Sequence, residues 1–200
     1  MRHLLLTASL GALLAASSFA AHAGNADADH YFIDVGTGVS HSNVKNLTDK
    51  NSWAYGLSAG YRWQDTWGVE AGYVDLGRPK AKGFFYDSYG THPYTANVHT
   101  SGFTLGANGR WRFADNWHVN ARLGAFFSKT NVTGGGWLHG DVSDNDTNLY
   151  FGAGLAYDFS SNLSLGLNVD RYQAKAKRLI NGTNSAVVAS ATLEWRFNAQ

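Results

Sequence analysis

The chain has no cysteine, two prolines and one methionine, the initiator. Without cysteine there is no disulfide framework, no iron–sulfur cluster and no zinc–thiolate site. A surplus of one charge is also missing. Sixteen basic and 15 acidic residues give a formal net charge of +1, which removes any broad electrostatic case for nucleic acid. After its N-terminal stretch the chain has no apolar run long enough to span a bilayer as a helix. The negative mean hydropathy agrees, yet it leaves room for a membrane β-barrel, whose lipid-facing and lumen-facing residues average out along each strand. What is plentiful is glycine, 23 residues in 200, and aromatic residues, 14%. The usual glycine share is about 7%. The length suits one domain, or two small ones.

Residues 1–23 read as a secretory signal peptide. Arg2 and His3 are basic, Leu4 to Ala20 is an apolar run, and Ala21-His22-Ala23 is an A-x-A cleavage site. Cleavage would remove Arg2 and leave 15 basic against 15 acidic residues in a mature domain at 24–200.

Period two dominates the remainder, the signature of half-buried strands. Eight segments show it, at 31–40, 55–63, 67–73, 103–113, 117–127, 149–159, 163–170 and 187–197. Each is about as long as a tilted strand must be to cross a bilayer, roughly 9–11 residues. One face carries bulky apolar residues and no charge. The other carries glycine, small polar residues and charges. A soluble barrel would turn the apolar face inward, but eight strands enclose room for only a modest filling of side chains. The tryptophans of this face are too bulky for that space, so the apolar face is expected to meet lipid and the glycine-rich face to line the lumen. The expected fold is an all-β, eight-stranded antiparallel up-and-down transmembrane β-barrel.

A short connection recurs three times: Trp63-Gln64-Asp65-Thr66-Trp67, Phe113-Ala114-Asp115-Asn116-Trp117 and Phe159-Ser160-Ser161-Asn162-Leu163. Each predicts a three-residue hairpin loop. Four long connections alternate with them, near 41–52, 77–97, 130–146 and 174–185, and both Pro79 and Pro93 fall in the second. Short turns at one end and long loops at the other fit the outer-membrane plan, with the turns in the periplasm. Tyr31, Trp63, Trp67, Trp111, Trp117, Tyr157 and Trp195 gather near the short-turn end, where an aromatic girdle belongs.

The stretch Trp67-Gly68-Val69-Glu70-Ala71-Gly72-Tyr73-Val74-Asp75-Leu76-Gly77 resembles the third strand of the OmpA-type transmembrane barrel. Leu193-Glu194-Trp195-Arg196-Phe197 resembles the closing strand read by the outer-membrane assembly machinery. These motifs recur across OmpA-like, OmpX-like and small porin-like barrels. The likeness implies a bacterial outer-membrane protein, inserted by that machinery and surrounded by outer-membrane lipids and lipopolysaccharide. The chain runs past Phe197, where the family often ends. No counterpart of the peptidoglycan-binding domain of OmpA follows, so no cell-wall tether is expected.

The inward face carries Asp34, Glu70, Asp158, Asp170 and Glu194 with Arg62, Arg110, Arg112, Arg122 and Arg196. Counted from the girdle, Glu70 and Arg110 share a depth, as do Glu194 and Asp34. Buried charges must be paired. The pairs form either a static plug or a gate for a narrow ion path. The plug is preferred, because eight strands leave little open lumen.

His99 and Ser101 share a strand face and superficially resemble the pair used by lipid A deacylases. No acid partner lies nearby in sequence to orient the histidine, so no catalytic site is expected. In the loops, Arg78, Lys80, Lys82, Lys175, Lys177 and Arg178 are basic, and Phe84, Phe85, Tyr86, Tyr89 and Tyr94 are aromatic. They suit lipopolysaccharide phosphates or a host or surface ligand. Asp141, Asp144 and Asp146 match no EF-hand spacing, so neither metal nor cofactor is expected. The expected function is structural or adhesin-like, with a pore as the alternative.

Overall fold

The computed structural model describes residues 29–43, 49–87, 90–136, 141–174 and 184–198. The signal peptide and Lys175, Lys177 and Arg178 lie outside the described residues. So does Tyr89. Nine strands form: β1 (His30–Ser42), β2 (Asn51–Trp63), β3 (Trp67–Asp75), β4 (Lys80–Asp87), β5 (Gly90–Ala114), β6 (Trp117–Gly136), β7 (Asp141–Asp158), β8 (Leu163–Ala174) and β9 (Asn184–Asn198). All pairings are antiparallel, and the sheet order is β3-β2-β1-β9-β8-β7-β6-β5-β4. β3 also pairs with β5, from Trp67↔Gly109 to Asp75↔Ser101. That pairing closes eight strands into a barrel and leaves β4 outside it.

The alternation of side chains sorts the strands as the sequence pattern requires. Val35, Leu57, Val69, Leu105, Leu123, Leu155 and Leu167 stand exposed on the outer wall. On β2 the outward row runs from Trp53 to Trp63, both exposed. Ten residue steps are about 34 Å along a strand. At a usual tilt of about 40–45° they cover the ~25 Å apolar band of an outer-membrane barrel.

The structure departs from the sequence pattern in its long connections. The segments 77–97 and 130–146 are largely strand rather than loop. β5, β6 and β7 continue past the barrel wall, pairing out to Tyr94↔Gly136 and Thr133↔Asp141. β4 pairs with the outer part of β5, from Lys80↔Asn97 to Asp87↔Gly90. A four-stranded sheet, β4-β5-β6-β7, therefore projects beyond the rim. Asp144 and Asp146 are paired strand residues there, and no cluster of metal-ligating side chains occurs among the described residues. Pro93 lies within β5, not outside every strand. It sits one residue past the last β5–β6 pair, where the ladder makes no demand on its missing N–H.

The short turns also differ from one another. At the first, Gln64 and Asp65 both have positive φ, 48° and 52°, and the Thr66 N–H donates to the Trp63 carbonyl at 3.0 Å. This is the primed turn that follows the twist of a hairpin. At the second, Ala114 pairs with Trp117, so the loop has two residues, not three. A register shift between Arg112 and Ala114 absorbs the extra one as a bulge.

Candidate functional site

The inward side chains form three levels. Nearest the short turns is a charge layer centred on Asp158. Its carboxylate accepts from Arg110 Nη2 at 2.6 and 2.7 Å, from Arg196 Nη2 at 3.0 Å and from Ser164 Oγ at 2.6 Å. Arg112 reaches it at 3.4 Å from a position 37% exposed, at the rim rather than in the lumen. Arg110 also binds Asp65 of the first turn, and Arg112 reaches the same carboxylate at 3.3 Å. Glu194 takes two parallel hydrogen bonds from Arg62, at 3.1 and 3.0 Å, with Arg196 at 3.6 Å. Arg62 in turn donates to Asn108 at 3.0 Å and lies 4.4 Å from the Phe32 ring centre. His118 and His30 border the layer, 3.6 Å from Asp158 and from Asp65 respectively. Charge-assisted bonds of this density offset the cost of desolvating the ions.

The second level is acidic. Arg122 stands 3.5 Å from Asp34 and 3.4 Å from Asp170. Glu70 shares this level but does not meet Arg110, although both count three residues in from the girdle. Strand stagger explains the difference. Trp67 pairs with Gly109, not with the far end of β5, and the Arg110 N–H donates to Thr66 in the turn. Arg110 therefore lies at the turn, beside Asp65. Glu70 accepts instead from Tyr150 Oη at 2.7 Å and Asn108 Nδ2 at 3.2 Å. Glycines make the tyrosine bond possible. Glu70, Gly106, Gly124 and Tyr150 are register partners across four strands. A Cβ on Gly124 would stand 2.7 Å from the Tyr150 ring, and one on Gly106 would stand 2.7 Å from its hydroxyl. With both side chains absent, Tyr150 lies flat over the wall and reaches Glu70.

The third level, toward the long connections, is apolar. Phe126, Tyr150, Tyr172, Val74, Leu76, Ala54, Ala186 and Val188 form one buried cluster, with Phe126 0% exposed. The inward face is thus not polar throughout, contrary to the sequence pattern. Its aromatics hide because they sit next to outward ones, as in Phe126-Phe127 and Tyr150-Phe151, and so break the alternation.

The girdle residues gather in contacts at the short-turn end. Trp67 packs edge-on against Trp111, and Trp117 against Tyr157. Tyr31 meets Tyr61 and Phe197, Tyr61 meets Trp63, and Trp195 meets Phe197. Trp53, Tyr55, Tyr73, Phe103 and Phe127, all exposed, form a second belt at the opposite end. On the outer wall above this belt, His99 Nε2 lies 3.0 and 3.1 Å from the Asp75 carboxylate. Asp75 is the cross-strand partner of Ser101. The acid missing from the local sequence is supplied by the neighbouring strand. Asp65, Asn108, His118, Ser164 and Tyr150 are lumen partners that sequence pattern alone did not single out.

Several solved structures share this fold. The attachment invasion locus protein Ail of Yersinia pestis, in complex with the heparin analogue sucrose octasulfate, is 18% identical, with 85% of this chain and 99% of that chain covered and a TM-score of 0.55. Neisserial surface protein A is 12% identical, with 84% and 97% covered and a TM-score of 0.57. The N-terminal β-barrel domain of Pseudomonas aeruginosa OprF is 16% identical, with 83% and 97% covered and a TM-score of 0.52. At these identities the likeness establishes the fold alone. No curated protein sequence matches significantly. The family model described as "Outer membrane protein beta-barrel domain" matches residues 11–197, nearly the whole chain, and the protein therefore belongs to that outer-membrane β-barrel family.

Proposed function

We propose that this protein is a surface-interaction barrel: a membrane anchor whose lumen does not conduct ions and whose projecting sheet meets a ligand outside the cell. The observation that carries this reading is the β4-β5-β6-β7 sheet. Among the described residues, β4 beyond Lys80 and β7 before Tyr150 each pair on one side only. Unpaired strand edges are templates for adding an extended segment of another chain. The three lumen levels supply the rest of the argument, since they stack ion pairs, a small cavity and an apolar cluster across one narrow bore. A cleaved signal peptide and insertion by the assembly machinery belong to the same proposal. The Ail structure holds a heparin analogue, so a sulfated glycan is the first ligand to try.

The test is to display the protein on Escherichia coli and measure binding of heparin. A version lacking residues 83–95 keeps every β3–β5 pair of the barrel. Loss of binding in this version, with the folded form still migrating apart from the boiled form on SDS gels, supports the reading. Equal binding by both versions refutes it. The proposal assigns no catalysis to the Asp75–His99 contact, because no hydrogen bond joins His99 to Ser101 among the described residues. Lipid A from cells carrying the wild type and His99→Ala should be identical, and a deacylated product found only with the wild type would overturn that assignment.

A further inference from the structure

The acidic level borders a partly open cavity of about 50 Å³, where Asp34, Glu70, Arg122 and Asp170 share the lining with apolar residues such as Ala54, Val74 and Val188. A water needs roughly 10–15 Å³ of such space, so the cavity has room for several waters, or for a small ion with part of its hydration shell. Its charges do not balance. Three carboxylates face one guanidinium, a sum of −2 when all are ionised. In the turn-side layer Arg62, Arg110 and Arg196 face Asp65, Asp158 and Glu194, and the surplus arginine, Arg112, stands at the exposed rim away from the cavity. Two oxygens also lack a hydrogen bond. Asp34 is 9% exposed and its Oδ1 accepts no hydrogen bond; Asp170 is 3% exposed and the same holds for its Oδ1. Arg122 stands beyond hydrogen-bonding geometry to both carboxylates, at 3.5 and 3.4 Å. A buried, under-bonded excess of negative charge is costly unless something positive shares the space.

We infer that this mid-lumen chamber is a binding site for a hydrated monovalent cation. The chemistry favours a single charge over a chelated divalent ion. The carboxylates ring the cavity without converging, and no group of three ligating side chains positioned for a metal ion exists among the described residues. Hydroxyls of Thr104, Ser190 and Thr192 add neutral oxygens to the lining, as an alkali ion requires. The cation is a resident counter-ion, held between the ion-pair layer and the apolar level. This site is independent of what the projecting sheet binds.

The experiment uses protein purified from outer membranes and unfolded in urea at fixed pH and ionic strength, in sodium, rubidium or N-methylglucamine chloride. The expected result is a higher midpoint in sodium or rubidium than in N-methylglucamine. Asp34→Asn removes that difference, whereas Asp144→Asn in the projecting sheet keeps it. Asp170→Asn serves in its place if Asp34→Asn does not fold, and crystals grown in rubidium should show an anomalous peak beside Asp34 and Asp170. Equal wild-type midpoints in all three salts would mean that a proton or water alone fills the chamber, and would overturn the inference. A salt difference that survives in both Asp34→Asn and Asp170→Asn would overturn it too.

Discussion

Replacing Asp158 by asparagine should destabilise the barrel more than any other single change to the charge layer. The substitution keeps the shape and one acceptor oxygen but deletes the negative charge. Two arginines facing that charge, Arg110 and Arg196, are buried, at 2.6 and 3.0 Å. Removing one partner of a buried ion pair costs about 3–5 kcal/mol, because the other charge is left uncompensated. The two arginines do not double this figure, since Arg110 keeps Asp65 and Arg196 keeps Glu194. The expected loss is therefore about 3–5 kcal/mol in total. Arg112→Ala is the internal control. Arg112 makes its contacts at 3.3 and 3.4 Å from a position 37% exposed, and solvent-screened pairs of this kind contribute under about 1 kcal/mol. Urea unfolding in detergent micelles, followed by tryptophan fluorescence and by the gel shift between folded and boiled forms, compares the two. At a urea dependence of about 1–3 kcal/mol per molar, Asp158→Asn should lower the midpoint by about 1 M or more. A cost for Asp158→Asn no larger than that for Arg112→Ala would refute the assignment of Asp158 as the centre of the layer.

Three further outcomes are expected. Gly124→Ala places a Cβ 2.3 Å from the Leu105 carbonyl and 2.7 Å from the Tyr150 ring; overpacking of this kind costs about 1–3 kcal/mol, and Gly124→Ala should unfold at lower urea than wild type. In planar bilayers the folded protein should be silent and stay silent as Glu70→Ala, because the ion-pair layer and the apolar cluster both remain; steady openings in either would make the lumen a pore. Asp29, ahead of β1, accepts from the Tyr61 hydroxyl at 2.7 Å and the Gln64 N–H at 3.0 Å, which holds its carboxyl below the ordinary 3.8. Its contribution is present above the ordinary value and is lost as pH falls through the lowered one, so an NMR titration should place Asp29 below 3.8 and Tyr61→Phe should move it back up.

The wall was legible in the sequence because lipid imposes a single rule on it. Every outward residue between the two belts must be apolar, so period two is visible wherever a strand crosses the membrane. The rule lapses beyond the rim. In 130–134 and 143–146, threonine, asparagine, serine and aspartate occupy both faces of the strands, and strand and loop then look alike. Depth within the lumen was harder to read. Glu70 and Arg110 look level when counted from the girdle, but the stagger of a tilted barrel displaces one strand along its neighbour by several residues. Tyr150 was invisible for another reason. Its partner lies three strands away, and the only trace of that reach is a pair of glycines, Gly106 and Gly124, in one cross-strand row.

The seam between the first and last barrel strands carries one more consequence. Asp34 and Glu194 are direct cross-strand partners there, and like charges so placed repel. Glu194 has Arg196 on its own strand and Arg62 from β2, whereas Asp34 takes its cation, Arg122, from β6 across the bore. In an incomplete sheet Asp34 meets the Glu194 carboxylate without its own cation, and the two ends become fully compatible only when β6 has delivered Arg122. This is a safeguard on the order of assembly, in which the ring can shut only once it is whole. A chain with Asp34→Asn should give it up and form more misclosed, aggregated product on refolding into lipid vesicles, and an unchanged yield would show that the repulsion plays no part.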